Sequence, residues 1–455
     1  MPKLSTSNII LLISYAVVCI AIGIWSALKQ KDDDFLIAGR KLTTLGFIAS
    51  VVAGYIGGNS LVAYTAFVYQ YGISAISLFV GTAIGFLLFI YYALRIRRVG
   101  KEKKFLTLSD WFYEKFDKRS GFLSSLMILL VYFGFLMNQF IAGSAILSSI
   151  SGWSYESALL LSGAVIIVYL MLGGYNSVIR TDIFQYFVLL VLLIMVGFVM
   201  FGEKRSHIVD LFDSSQFQPT KIAAFMIYGI SYVFFSAEYW QKTYAAKNDK
   251  VIRNGLRGSA VLIIISGLAL SLIGLYAWAY IPGLEPKDAA ASGLAALLPE
   301  SLIGLGLMLI FAAIMSSADT MVFVLSTSVA KDYVARFKTQ KTDDRQLKNL
   351  TRTFIIIFSI LSITGAFFFR DIISLILTVT GIGFSLIPSV IASFHWKIHN
   401  LSAFASLISG FVYILILIFT GNLISEAAVA SAIVSAFVLI LFQLFLRKKQ
   451  SYSKT

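Results

Sequence analysis

Apolar runs of about 20 residues follow one another along almost the whole chain, separated by short charged connections, and about 20 mostly apolar residues are what a helix needs to cross a bilayer. The sequence therefore reads as an all-α polytopic membrane protein. Of its 455 residues 58% are hydrophobic and 13% charged, where a soluble domain carries roughly 25% charge. Half the usual charge cannot cover a water-facing surface. One Cys excludes a disulfide framework, and three scattered His exclude the usual zinc spacings. Disordered and collagen-like classes fall on the same composition. A net charge of +14 would suit a nucleic-acid partner, but Lys and Arg gather in the cytoplasmic loops of membrane proteins for topological reasons.

Thirteen spans are expected, near residues 8–28, 44–70, 75–94, 120–149, 156–172, 182–202, 222–241, 258–281, 301–330, 353–369, 372–394, 401–420 and 426–446. The first reads as a retained helix: only Lys3 precedes it, it is longer than the apolar core of a signal peptide, and no clear small-residue cleavage site follows. Counting Lys and Arg in alternate connections gives 31 on one side, around 29–41, 95–119, Arg180, 242–257, 331–352, Lys397 and 447–454, against 6 on the other. Positive side chains resist translocation. The C-terminus is thus expected in the cytoplasm, the N-terminus outside, and the chain in the cell (plasma or inner) membrane. No connection is long enough to hold a soluble domain.

Polar interruptions mark the candidate sites. The second span contains Gly54, Gly57, Gly58, Asn59 and Ser60, where a break would free backbone carbonyls for a cation; close helix packing through small residues is the plainer reading. In the ninth span, Ser316, Ser317, Asp319 and Thr320 interrupt an otherwise apolar helix. A carboxylate at mid-membrane costs roughly 2.5–3.5 kcal/mol, so Asp319 is expected to face a cavity, a partner or an ion. Hydroxyl, carbonyl and carboxylate oxygens suit a hard cation. In the seventh, Glu238 sits among Phe234, Phe235, Tyr239 and Trp240, placed to bind solute, to gate, or to pair with Lys242 four residues on. Between spans five and six, Gly173 and Gly174 suit a helix stop and Thr181 or Asp182 a cap.

That last string, GGYNSVIRTDIFQ at 173–185, resembles the sodium/solute symporter family, whose pattern is paired glycines, then Thr-Asp and a Gln three positions further: Gly173, Gly174, Thr181, Asp182 and Gln185. DDFLIAGRKL at 33–42, WQKTYAAKN at 240–248, AAIMSSADT at 312–320 and the stretch 387–410 add agreement in family order. The resemblance implies the leucine-transporter fold, two inverted five-helix repeats each opening with a broken helix. The divisions would be 1–43 (an extra helix and cytoplasmic loop), 44–202 (first repeat), 203–221 (external loop), 222–395 (second repeat) and 396–455 (two further helices and a cytoplasmic tail).

Carried over residue by residue, the resemblance implies a sodium ion held by the carbonyls of Ala53, Ile56 and Ala313 and the hydroxyls of Ser316 and Ser317, with a second cation cluster at Asp182, Asp319 and Thr320. Candidate solute-wall residues are Tyr55, Asn59, Ser60, Phe79, Asn138, Gln139, Tyr232, Ser236 and Glu238. Galactose carriers of the family use polar side chains where this chain has Asn59, Ser60 and Phe79, and proline carriers an Asp where it has Tyr55. The expected activity is sodium-coupled import of a small organic solute, an amino acid or a small organic acid or cation, by alternating access, by a chain able to act as a monomer in the bilayer, with no nucleic-acid partner. A sialic-acid-type sugar symporter and a proton-coupled carrier titrating Asp182, Asp319 or Glu238 are the alternatives. A sensor would need a signalling domain, and an enzyme a motif such as HExxH or GxSxG; the sequence has neither.

Overall fold

The computed structural model describes residues 6–28, 32–201, 217–338, 342–369 and 371–452. Described residues form helices and, in place of a sheet, a single parallel β-bridge between Leu42 and Ala246. In chain order the helices are α1 (Thr6–Ala27), α2 (Asp32–Ile37), α3 (Thr44–Tyr55), α4 (Gly58–Tyr71), α5 (Ser77–Glu102), α6 (Ser109–Lys115), α7 (Lys118–Ser151) and α8 (Tyr155–Phe201). The second half continues with α9 (Pro219–Phe235), α10 (Ala237–Ala245), α11 (Asp249–Tyr280), α12 (Ala289–Leu297), α13 (Glu300–Ser328), α14 (Asp344–Phe368), α15 (Ile372–Phe384), α16 (Ile387–His395), α17 (Asn400–Phe419) and α18 (Ser425–Tyr452).

Side-chain caps set several helix starts. Asp117 accepts from the Ser120 N–H at 2.9 Å, Asn248 from Val251 at 3.0 Å and Asp343 from Gln346 at 2.7 Å, each satisfying an amide that the first turn leaves without a partner.

Among the described residues ten stretches are long and apolar enough to cross a membrane, eleven when the bent pair α9–α10 is counted as one. Two of them are about double length: 43 residues from Ser60 to Glu102 and 44 from Tyr155 to Phe198. At 1.5 Å per residue each would measure about 65 Å, twice the hydrocarbon layer. Each also carries a glycine of positive φ in its interior, Gly72 and Gly174. Divided at those glycines, the stretches give the thirteen spans read from the sequence. Most of the external loop expected at 203–221, residues 202–216, lies outside the described residues.

One cap expected from the sequence is absent. Thr181 and Asp182 stand well inside α8, because the helix resumes immediately after Gly174. The Thr181 hydroxyl lies 2.8 Å from the Ser177 carbonyl, a contact common for threonines inside helices.

α13 is the core element: every residue from Gly306 to Ser328 is buried, and it packs on α7, α8 and α3. A helix buried on all sides suits its nearly uninterrupted apolar sequence. Gly81 and Gly229 bring α5 and α9 together backbone to backbone; a Cβ on either would stand 2.2 Å from a carbonyl oxygen of the other helix. The outer helices show the opposite face. α18 exposes Ile433, Phe437, Ile440, Leu444 and Phe445, each at least 59% exposed, at helical spacing on the outside, where only acyl chains would stabilise them.

At one end of the bundle the connections rich in Lys and Arg meet one another. Arg40 donates to the carbonyls of Tyr244 and Phe105, at 3.2 and 2.9 Å. Asp110 on α6 holds Lys331 at 2.6 Å and Arg336 at 2.5 Å. Burial alone would push the Asp110 carboxyl up, but the two cations outweigh it and keep the carboxyl below its ordinary value.

Candidate cation and solute site

The second sequence span is two helices. α3 stops at Tyr55, Ile56 (φ −87°, ψ 75°) and Gly57 (φ −127°, ψ −161°) leave the helical region, and α4 begins at Gly58. In an unbroken helix the amides of Gly57 and Gly58 would reach the carbonyls of Ala53 and Gly54. Here Gly57 donates to the Tyr55 carbonyl at 3.1 Å and to Ser60 Oγ at 3.2 Å, and Gly58 to Gln139 Oε1 at 2.6 Å. The break therefore releases the Ala53 and Gly54 carbonyls from the helix ladder. Ser317 of α13 faces both, its Oγ 2.8 Å from Gly54 O and 3.4 Å from Ala53 O. Only glycine allows so close an approach: a Cβ on Gly57 would lie 2.0 Å from Ser317 Oγ.

Of the five expected sodium ligands, Ala53 and Ser317 are therefore in contact. Ser316 and Ala313 lie on the same turns of α13 and Ile56 at the break, all three buried. Freed carbonyls opposite hydroxyls, with no amide between them, are a donor set that suits a hard monovalent cation.

A second polar cluster lies alongside. Ser316 Oγ donates to Asp182 Oδ1 at 2.7 Å, and Ser50 donates to the other oxygen of the same carboxylate. Asp319 Oδ2 accepts from Tyr169 at 2.8 Å and Thr181 at 3.0 Å. Asp182 and Asp319 are fully buried, and the Thr320 hydroxyl, buried too, has no hydrogen-bond partner. The sequence reading missed the cation placed among them: Lys242 is fully buried and donates to the Ser50 carbonyl at 2.7 Å. Among the described ion pairs there is none between Lys242 and Glu238, so the i,i+4 pairing open to them is not made. A Cβ on Gly54 would meet the ammonium at 2.8 Å, so this glycine makes room for the lysine.

Beside the break is a cavity with about 420 Å³ of empty space. Of the expected wall residues, Tyr55, Ser60, Gln139 and Tyr232 line it. Gly54, Tyr228 and Met321 complete its polar and thioether rim, and Phe67, Leu78 and Ile376 its apolar side. The Tyr55 hydroxyl is paired with Thr82 at 2.8 Å, and its ring packs edge-on against Phe79 and Tyr232.

The other candidates stand elsewhere. Phe79 lies behind Tyr55, Asn138 turns its amide toward the Ile372 carbonyl at 3.4 Å, and Ser236 donates to the Tyr232 carbonyl at 2.7 Å. Glu238 is buried among Tyr132, Tyr232 and Tyr239, away from the cavity wall. The side chain of Asn59 lies outside the described residues. Tyr228 was within reach of the sequence, since it is one turn from Tyr232 on α9; Phe67, Leu78 and Ile376 are indistinguishable from lipid-facing residues by pattern.

Comparison with known proteins identifies the molecule at family level. The family model described as Sodium:solute symporter family matches residues 35–410. The chain belongs to that family. It is thus a multi-pass membrane transporter, a sodium-coupled symporter of a small solute and not an enzyme, with sodium as its coupling ion. It is 26% identical to the osmoregulated proline transporter OpuE of Bacillus subtilis, over 92% of this chain and 90% of that one. It is 24% identical to a sodium/pantothenate symporter of Haemophilus influenzae, over 89% and 84%. A solved sodium-coupled sialic acid symporter in a substrate-bound, outward-open state superimposes with a TM-score of 0.82, covering 97% of this chain and 98% of that one at 18% identity. That likeness gives the symporter its fold, the leucine-transporter architecture. A nucleobase-cation-symport-1 family transporter in a closed conformation superimposes less closely, with a TM-score of 0.58.

Proposed function

We propose that this symporter imports a small carboxylate-bearing organic solute, an amino acid or a small organic acid, by alternating access. Sodium binds at the carbonyls of Ala53, Ile56 and Ala313 and the hydroxyls of Ser316 and Ser317, and a second cation binds at Asp182, Asp319 and Thr320. The observation that carries the reading is the break at Ile56–Gly57: it frees carbonyls toward α13 on one side and borders the solute cavity on the other.

No charged side chain lines the cavity, yet the N-terminal end of α4 borders it through Ser60. The dipole of a helix start favours a carboxylate, while the aromatic walls accept an apolar body. The solutes in the names of the relatives, proline, pantothenate and sialic acid, are all carboxylic acids.

Residues 44–202 and 222–395 form the two inverted repeats. Each opens with a helix broken partway, at Ile56–Gly57 and at Ser236. The N-terminus lies outside and the C-terminus inside the cell: Lys and Arg divide 31 to 6 between alternate connections, and the rich connections pack together at one end. One sodium carried inward with a zwitterionic, net-neutral amino acid through 100 mV gains about 2.3 kcal/mol, roughly fiftyfold accumulation from voltage alone.

The test is a thermal-shift screen of the purified chain against amino acids, organic acids, sugars and quaternary amines, in sodium and in potassium. A carboxylate solute should raise the melting temperature in sodium only, by the mass-action stabilisation of a ligand that binds the folded state. Equal shifts in potassium, or shifts confined to sugars or amines, would refute the solute and site assignment.

A further inference from the structure

A second cavity, with about 240 Å³ of empty space, lies at the end of the bundle where the basic connections meet. Its lining is Arg40, Arg97, Lys101, Tyr244, Ala246 and Lys247. Four of the six are cations and none is an acid. A small cavity with a mostly cationic lining suits a compact oxyanion.

The two arginines are fixed by the protein itself. Arg40 spans the Tyr244 and Phe105 carbonyls. Arg97 donates to the Ala246 carbonyl at 3.0 Å and the Lys247 carbonyl at 2.7 Å and pairs with Asp249 at 2.9 Å. Asp249 is also held by Arg98 at 3.2 Å, so this acid is already shared between two guanidiniums. Lys101 and Lys247 are exposed and, among the described residues, have no acid partner. Two guanidiniums held in place and two ammoniums with no acid partner among the described residues line this one small cavity.

We infer that this cavity binds a phosphate oxyanion. Basic pockets between membrane helices on the cytoplasmic side recognise lipid headgroups by this chemistry, and free phosphate offers the same oxygens. Its walls come from three separate segments, the turn before α3, the end of α5 and the α10–α11 junction; the first and third meet through Leu42 N–H to the Ala245 carbonyl at 3.0 Å and Lys247 N–H to the Leu42 carbonyl at 3.1 Å, and Arg97 joins α5 to the third. An anion bridging them favours the arrangement in which they are joined, because a ligand shifts a conformational equilibrium by its differential affinity for the two states.

The experiment uses the full chain in neutral detergent micelles. Native mass spectrometry and thermal shift follow titration with phosphatidylglycerol, with phosphatidylcholine and with inorganic phosphate. The variant Lys101→Gln/Lys247→Gln removes the two uncommitted cations and leaves the arginine contacts; Lys118→Gln/Arg119→Gln removes two exposed charges from the start of α7, which does not line the cavity. Wild type should bind and be stabilised by phosphatidylglycerol, inorganic phosphate, or both, and not by phosphatidylcholine. The pocket variant should bind about thirtyfold more weakly, at about 1 kcal/mol per lysine, with the control variant within twofold of wild type. A response to phosphatidylglycerol alone assigns a lipid headgroup; a response to phosphate alone, a soluble anion. No response to either anion, or the same loss in both variants, overturns the site.

Discussion

Two helices of this symporter stop and restart partway along a span, and they leave their backbone in opposite conditions. At the first break, between α3 and α4, the amides of Gly57 and Gly58 turn to Tyr55, Ser60 and Gln139, so the Ala53 and Gly54 carbonyls face the Ser317 hydroxyl. At the second, between α9 and α10, Ser236 closes on its own helix through its amide and its hydroxyl, both donating to the Tyr232 carbonyl. The Trp240 indole takes the Phe234 carbonyl at 2.9 Å, and the bend there is 49°. A buried carbonyl without a donor is costly. The second break meets that cost with its own side chains; the first leaves it to a neighbouring helix and to whatever binds there. The first therefore offers carbonyls to a ligand, and the second does not.

The largest effect should come from removing the two hydroxyls of the proposed sodium site, that of Ser317 facing the first break and that of Ser316 beside it on α13, bonded to Asp182. Ser316→Ala with Ser317→Ala should abolish sodium-stimulated uptake in proteoliposomes while the potassium background stays unchanged. If the sodium dependence of uptake survives the double substitution, the first break is not the ion site and the contrast between the two fails.

Next in size is the amide that crosses the first break. Gln139→Leu would leave the Gly58 N–H buried without an acceptor, at about 1–3 kcal/mol, so the solute half-saturation constant should rise roughly tenfold to hundredfold. Gln139→Glu keeps an acceptor at the positive end of α4 and should recover at least half of that loss in free energy. Equal damage from both substitutions would mean that Gln139 acts through packing and not through its oxygen.

The contrast also sorts what the chain discloses before it folds. The first break is legible because Gly54, Gly57, Gly58 and Ser60 crowd a run that is otherwise apolar. The second leaves no such mark: Ser236 follows two phenylalanines with neither glycine nor proline beside it, and residues 222–241 read as one continuous span. Its existence came from the family resemblance alone. Asn138 and Gln139 could not be separated in advance, since neighbours on a helix point about 100° apart and only the packing of α7 decides which one meets α4. Thr181 and Asp182 resembled a cap because the glycines before them suggested a stop; α8 absorbs Gly174 as a kink and carries both side chains inward to Ser316 and Asp319. Lys242 was harder still. Its partner, the Ser50 carbonyl, is 192 positions away, a distance no local pattern spans.

The smallest predicted effect falls on the second break, and it gives the sharpest discrimination between the two. Trp240→Phe keeps the aromatic packing against Phe89 and Trp111 but deletes the only indole donor to the Phe234 carbonyl, at about 1–2 kcal/mol of stability. For a chain of this size that lowers the melting temperature by a few degrees. Because the carbonyl it strands belongs to a break with no share in the proposed sodium site, the sodium half-saturation constant should stay within twofold of wild type. A tenfold change in that constant, measured beside the melting temperature on the same preparation, would mean that the second break takes part in ion binding, and that the contrast drawn between the two breaks is wrong.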